Sequence, residues 1–282
     1  MQISDSQKRN PRVAVIAHVF YLDIWPELAA CILNVKEVAS AADIFVTLPE
    51  SADESAVHRI KSTFQEANVR RLPNRGFDVG PFFEVISRID LDIYDYVVKL
   101  HTKRNGFGIV NFCPLPGRSW RKLLLGFCSS PENARQTFSL LNDNPKVGMV
   151  GSGALVMHPE DELTGRFSIS GAESEQPEQK SADWCFIAGT MFAVRAALLK
   201  KMACRLSFDD FPAMPAGSHD AGLAHSIERE FGREVHKQGF HIAPCPESPR
   251  LFSATFRMRR ATYAFCCLIL RHLLRRAQPR HK

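Results

Sequence analysis

The feature that most constrains this chain is an alternation that runs through its first hundred residues. "PRVAVIAHVF" is a Val/Ile-rich buried strand. "WPELAACILNVKEVASA" follows as a helix, with Pro26 suited to its first turn and Leu28, Cys31, Ile32 and Val35 at helical spacing. "ADIFVTLP" is a second strand, and "SADESAVHRIKSTFQEAN" a second helix with Ser51 and Glu54 spaced as a capping box. "VRRLPN" reads as a short third strand, "GPFFEVISRI" as a helix opened by Pro81, and "YDYVVKLHT" as a fourth strand. Such a β-α-β-α-β-α-β run predicts an α/β fold, with a mostly parallel central sheet and helices on both faces. Ligands of such sheets bind at the carboxyl ends of the strands, here "HVFY", "TLPE", "PNRGFDVG" and "HTKRNG".

The pattern is mixed beyond Gly106. "GRSWRKLLLGFC" and "SPENARQTFSLLNDNP" read as helices, and "VGMVGSGALVM" as a strand with glycine punctuation. Gly165 to Ala182 reads as a polar loop. "WCFIAGTMFAVR" is a strand with a small-residue break, followed by the helix "AALLKKM". "DAGLAHSIEREFG" is a helix ended by Gly232, and "GFHIAPCP" a last short strand.

Charge separates the chain into two parts. From Ser248 onward there are nine Lys or Arg and no acid, leaving 27 bases against 30 acids in the residues before it. The basic character therefore belongs to the tail and gives no sign of a nucleic-acid groove in the body. None of the eight cysteines forms a C-x-x-C pair, so neither a zinc site nor a disulfide framework is indicated, and a reducing, cytoplasmic location is expected. The polar start "MQISDSQKRN" does not read as a signal peptide.

Four stretches carry chemistry. In "NRGFDVGPFF", two glycines allow close backbone approach, and Gly80-Pro81 starts a helix whose free N–H groups favour an anion. Asp78 there either holds a nucleoside hydroxyl or base edge, or caps the helix. At the end of "YDYVVKLHTKRNG", Lys99, His101 and Lys103 alternate onto one side of a strand, with Arg104 beside them. They read either as a field for a pyrophosphate or as solvated strand-end cations. Gly189 and Thr190 line a sugar pocket or pack against backbone. Asp220 is a general base toward a hydroxyl or an N-cap. His219 and His225 are six apart and share no helical face, which gives a metal little support.

Taken in order, "NRGFDVGPFF", "YDYVVKLHTKRN", "SWRKLLL", "FIAGTMFAVR" and "DAGLAHSIEREFG" resemble the rhamnan synthesis protein F family, over about Arg12 to Ala243. That family acts in making bacterial rhamnose-containing polysaccharides and lipopolysaccharide O-chains. The layout is also similar to nucleotide-sugar glycosyltransferases of the GT-A type. The resemblance implies a GT-A-like transferase domain over residues 1–247, with a nucleotide-binding half (12–110) and an acceptor half (111–247). It implies transfer of a sugar, rhamnose by the family's name, from a nucleotide-sugar donor to a lipid-linked glycan.

By the same resemblance Asn74, Arg75, Gly76, Asp78 and Gly80 would hold the nucleoside. Lys99, His101, Lys103 and Arg121 would hold the diphosphate. Trp120, Gly189 and Thr190 would border the sugar and acceptor, and Asp220 would be catalytic. The wider group carries Asp-x-Asp where this chain has Leu100-His101-Thr102. The expectation is therefore metal-independent chemistry with no cofactor, in which fixed cations receive the leaving charge, with Mg or Mn as the alternative. The missing pair also suits a non-catalytic glycan- or nucleotide-binding subunit of a polysaccharide synthesis complex.

The tail, residues 248–282, contains a ten-residue apolar run between Arg260 and Arg271, too short to span a bilayer. As a helix it gathers Tyr263, Cys266, Cys267, Leu270, Leu273 and Leu274 on one face beside Arg260, Arg271 and Arg275. It reads as a basic amphipathic helix at the inner face of the cytoplasmic membrane, or as a helix docked on the body.

Overall fold

The computed structural model describes residues 10–104, 108–110, 113–115, 117–159, 184–213 and 222–245. The expected amphipathic tail and the Gly165–Ala182 loop lie outside the described residues, as does Asp220.

Seven strands form the central sheet: β1 (Arg12–His18), β2 (Ala41–Pro49), β3 (Asn68–Leu72), β4 (Tyr96–His101), β5 (Val147–Ser152), β6 (Phe192–Arg195) and β7 (His241–Cys245). Their order is β7-β5-β6-β4-β1-β2-β3. All neighbours are parallel except β6, which runs antiparallel to both β4 and β5. The expected mostly parallel sheet is therefore present. Two short hairpins stand outside it, Gly108–Val110 with Cys113–Leu115 and Val156–Met157 with Phe186–Ile187.

The helices are α1 (Trp25–Val38), α2 (Glu54–Thr63), α3 (Val79–Ile86), α4 (Gly117–Leu124), α5 (Pro131–Asp143), α6 (Ala196–Arg205) and α7 (Gly222–Lys237). Alternate residues of β4 show that both faces are covered. Tyr96 stacks on Phe138 of α5 with ring centroids 5.7 Å apart, whereas the Lys99 ammonium lies 5.4 Å from the Phe82 ring of α3. β1 and β4 are buried along almost their whole length, as expected for central strands of a doubly covered sheet.

Local chemistry departs from the sequence reading at two helix ends. α2 starts at Glu54, and its cap is Asp53, whose carboxylate accepts from the Ala56 amide at 3.0 Å. Glu54 reaches Arg71 at 2.7 Å instead of closing a capping box on Ser51. Gly232 does not end α7, which continues to Lys237; Gly239, at φ +79°, follows that end. Gly232 serves close approach, because a Cβ there would lie 2.2 Å from the Cys185 carbonyl oxygen and 2.8 Å from the Phe186 Cα. Alanine is the better helix former by about 1 kcal/mol. Yet Gly232→Ala is expected to lose roughly 1–3 kcal/mol, because the clash is with backbone. A urea midpoint equal to or above that of the unsubstituted protein would show that the two segments can part.

Candidate active site

The chain winds outward from β1 through β2 to β3 and then returns to the other side of β1 as β4. The strand order reverses between β1 and β4, and at such a switch point open α/β sheets form a ligand crevice beyond the strands' carboxyl ends. Those ends are His18 and His101, partners in the parallel register. Thr102 ties them together. Its amide donates to the His18 carbonyl at 2.9 Å, and its hydroxyl accepts from the Phe20 and Tyr21 amides at 2.9 and 3.0 Å.

Two left-handed dipeptides face this crevice. Gly76 and Phe77 have φ of 60° and 55°, and Gly189 and Thr190 have φ of 85° and 51°. Glycine adopts that region freely, but a β-branched threonine does not, so Thr190 is strained and must be held. Lys99 and Asp78 hold it. The buried Lys99 ammonium donates to the Asp78 carboxylate, and to the carbonyl and hydroxyl of Thr190, each at 3.1 Å. The Thr190 hydroxyl in turn donates to Asp78 Oδ2 at 2.6 Å. An ammonium has three hydrogens, and all three are used. Asp78 occupies the N-cap position of α3 but makes no side-chain cap bond. Its carboxylate is turned to Lys99, which decides against the capping reading.

His101 lies beside this cluster, with Nε2 donating to the Gly189 carbonyl at 2.8 Å and 3.7 Å from Asp78 Oδ2. Burial pushes the imidazole down to about 4, against the pull of Asp78. His18 is pushed down by burial to about 3, and its Nδ1 meets the Thr47 hydroxyl at 2.9 Å. Both rings are therefore neutral at neutral pH. Burial opposes ionisation of Asp78, but the charge of His101 once it is protonated, the charge of Lys99 and the hydrogen bonds from Lys99 and Thr190 hold its carboxyl well below the usual range. Burial pulls the Lys99 ammonium below its ordinary value, and Asp78 opposes that pull.

The remaining expected residues are placed as follows. Arg75 holds the 208–213 segment, with Nη1 donating to the Phe211 carbonyl at 3.1 Å and Ala213 bridging to it. Asn74 is half-buried beside it. Gly76 and Gly80 permit close packing, since Cβ atoms there would stand 2.4 Å from the Phe211 ring and 2.2 Å from the Arg75 carbonyl oxygen. Arg121 is buried and pairs bidentately with Glu27 at 2.9 and 2.8 Å, while its Nη1 reaches the Lys103 carbonyl at 3.2 Å. Lys103 is exposed past the strand end. Trp120 packs near Gly189, and its buried indole N–H has no acceptor among the described residues.

Lys99, His101 and Gly189–Thr190 thus converge with Asp78, but Lys99 and His101 do not stand in the crevice as free cations. Sequence reasoning did not single out His18, Thr47, Thr102 or Glu228, which accepts from the Gly189 amide. The signal for His18 was its position at the end of the first strand.

Among the described residues no three His, Cys, Asp or Glu gather as a metal site. Among the described residues the donor set at the crevice does not fit a divalent cation, because Asp78 is already bound by an ammonium and a hydroxyl. The crevice is a preorganised, nearly charge-balanced cluster under two strained turns, suited to holding a polar ligand in one orientation. Among the described residues no helix is long and apolar enough to cross a membrane.

A family model described as "Rhamnan synthesis protein F" matches residues 1–158. Two curated relatives from strains of Xanthomonas campestris pv. campestris, both described as "Uncharacterized protein WxcX", are 26% and 25% identical over 246 residues, or 83% of this chain. The match takes in 32% of each, so the chain spans about a third of the length of those relatives. Among solved structures, the mannosyltransferase PcManGT from Pyrobaculum calidifontis, in complex with GDP-Man and Mn2+, is 14% identical with a TM-score of 0.44, covering 91% of this chain and 63% of that one. A 4-diphosphocytidyl-2C-methyl-D-erythritol synthase is also 14% identical, with a TM-score of 0.37, covering 90% of this chain and 98% of that one.

Proposed function

Because this chain belongs to the rhamnan synthesis protein F family, we propose that it is a nucleotide-sugar-dependent glycosyltransferase of cell-surface polysaccharide synthesis. It moves a sugar, rhamnose by the family's name, to a growing lipid-linked glycan at the inner face of the cytoplasmic membrane. Residues 248–282 draw it to anionic lipid there. The observation that carries the reading is the fixed polar cluster of Asp78, Lys99, His101 and Thr190 at the sheet's switch point, where open α/β sheets bind ligands.

In the reaction the acceptor hydroxyl oxygen attacks the anomeric carbon. The bond from that carbon to the donor's terminal phosphate oxygen breaks, and its electron pair leaves on the diphosphate. Asp220 takes the hydroxyl proton. Lys103, exposed at the strand end, supplies the ammonium that meets the leaving charge. Lys99 and Arg121 act from behind it, because each is already paired with a carboxylate. Their task is to fix Thr190 and the strand end against the ligand. Trp120, whose indole N–H has no acceptor among the described residues, borders the sugar.

A thermal-shift panel of nucleoside diphosphates, each with EDTA or with Mn2+, tests this. A matching diphosphate at 100 times its Kd adds about 2.7 kcal/mol, so a rise of several degrees is expected, and it should survive EDTA. No response to any diphosphate overturns the reading. A response only with Mn2+ overturns the metal-free part of it.

A second reading is favoured by the way Lys99 and Asp78 neutralise one another where a transferase would place its charge. On that reading the chain is a nucleotide- or glycan-binding subunit without activity. Incubation with the nucleotide-sugars of the best-bound diphosphate separates the two: a transferase slowly hydrolyses its nucleotide-sugar, and a binding subunit leaves it intact.

A further inference from the structure

Only three large apolar side chains are exposed among the described residues: Phe20 at 41%, Leu33 at 52% and Ile93 at 45%. Leu33 is on α1, and Ile93 precedes β4 at the amino end of the sheet. Phe20 alone stands at the carboxyl end, two residues beyond β1 and beside the switch point.

Its exposure is built into the fold. The Phe20 and Tyr21 amides are both held by the buried Thr102 hydroxyl, and the Val19 amide donates to the Thr47 carbonyl at 2.8 Å. The backbone therefore presents this ring from a fixed point between β1 and β4. Tyr21 braces it edge-on, with centroids 4.9 Å apart at 74°. His18 lies 6.3 Å away on the side of the buried cluster. Arg104 lies 5.0 Å over the Tyr21 ring and 3.6 Å from Asp23, so the surroundings of the ring are charged and polar.

A single aromatic ring amid charges is poorly suited to an apolar protein partner, which needs a contiguous patch. It does suit a ligand with a flat π-face and a polar edge. We propose that the fixed, exposed ring of Phe20 is the stacking platform for the nucleobase of the donor, with Tyr21 bracing it. This rests on the nucleotide-sugar reading and adds to it a residue for the base, distinct from those that hold phosphate and sugar.

The test compares full-length protein with Phe20→Ala and Phe20→Trp, using UDP, GDP, dTDP and inorganic pyrophosphate as titrants in calorimetry. Stacking is worth about 1–3 kcal/mol per base, so Phe20→Ala should weaken the best-bound nucleoside diphosphate roughly 5- to 150-fold. Pyrophosphate, which has no base, should bind the variant within about twofold of its original affinity. Phe20→Trp should restore nucleotide binding. The ring is exposed, so melting temperature without ligand should stay unchanged in both variants. Equal nucleotide affinity in Phe20→Ala, or an equal loss for pyrophosphate, overturns the proposal alone. An unsubstituted protein that binds no nucleoside diphosphate removes the nucleotide-sugar reading and this one with it.

Discussion

Lys99→Met is expected to destabilise the domain by about 3–5 kcal/mol, the range for removing one partner of a buried ion pair. The side chain is 1% exposed, and its ammonium holds Asp78 and both oxygens of Thr190. Methionine fills much the same volume, so the loss is that of the charge and its hydrogen bonds. It leaves a mostly buried carboxylate without its cation and a strained Thr190 without its clamp. Asp78→Asn is damaging for the converse reason, since it leaves a buried ammonium facing an amide. The double variant removes both charges together. It should therefore lose less than the two single losses combined, by a coupling on the order of 2 kcal/mol. Urea midpoints for the four proteins measure this directly. Strictly additive losses would mean that Lys99 and Asp78 are not partners in solution, and the reading of Lys99 as a positioning residue would fail with them.

That pair marks the limit of what the sequence discloses. The first four strands and three helices are legible, because Val- and Ile-rich runs and helical spacing are local and each segment must bury a face of its own. The crevice follows from them, since an alternating pattern allows few topologies. The alternation through Lys99 and His101 correctly places both in the sheet beside the crevice. What it does not disclose is a counter-ion. Asp78 is 21 residues from Lys99 and Thr190 is 91, so the pairing is a product of the fold. The antiparallel direction of β6 is equally hidden, because "FAVR" is four residues that read alike in either direction. Gly232 resembles a helix stop, yet its reason is the backbone of residues 185–186 crossing the middle of α7. Phe20 ends an apolar run and reads as core, although the chain turns outward there.

Acid is expected to destabilise this domain before its carboxylates titrate, and the cause is two histidines. His18 and His101 titrate near 6.5 in an unfolded chain, but burial lowers them to about 3 and about 4 in the fold. Below pH 6.5 the unfolded chain takes up two protons that the native state refuses. Stability therefore falls with falling pH, by up to about 1.4 kcal/mol per pH unit for each ring, until each native value is reached. The groups facing them are Asp78, which favours their protonation, and Lys99, which opposes it for both; His101 also opposes it for His18, and Lys103 opposes it for His101. Asp78 adds a loss of the same sign only below its ordinary range, because its native value is depressed. Urea midpoints at pH 7.5, 6 and 5 should decline steadily. His18→Gln and His101→Gln, though less stable at pH 7.5, should each decline with a shallower slope, since neither glutamine takes up a proton. A flat profile between pH 7.5 and 5 would mean that both rings take up their protons in the fold at the ordinary value, and a profile that rises as pH falls would mean that both are already protonated at pH 7.5; either result replaces the neutral cluster. The steady decline has a consequence for the binding experiments. Loss of nucleotide below pH 5 reports unfolding beneath the crevice before it reports titration within it, so ligand affinities there carry meaning only beside a stability curve taken at the same pH.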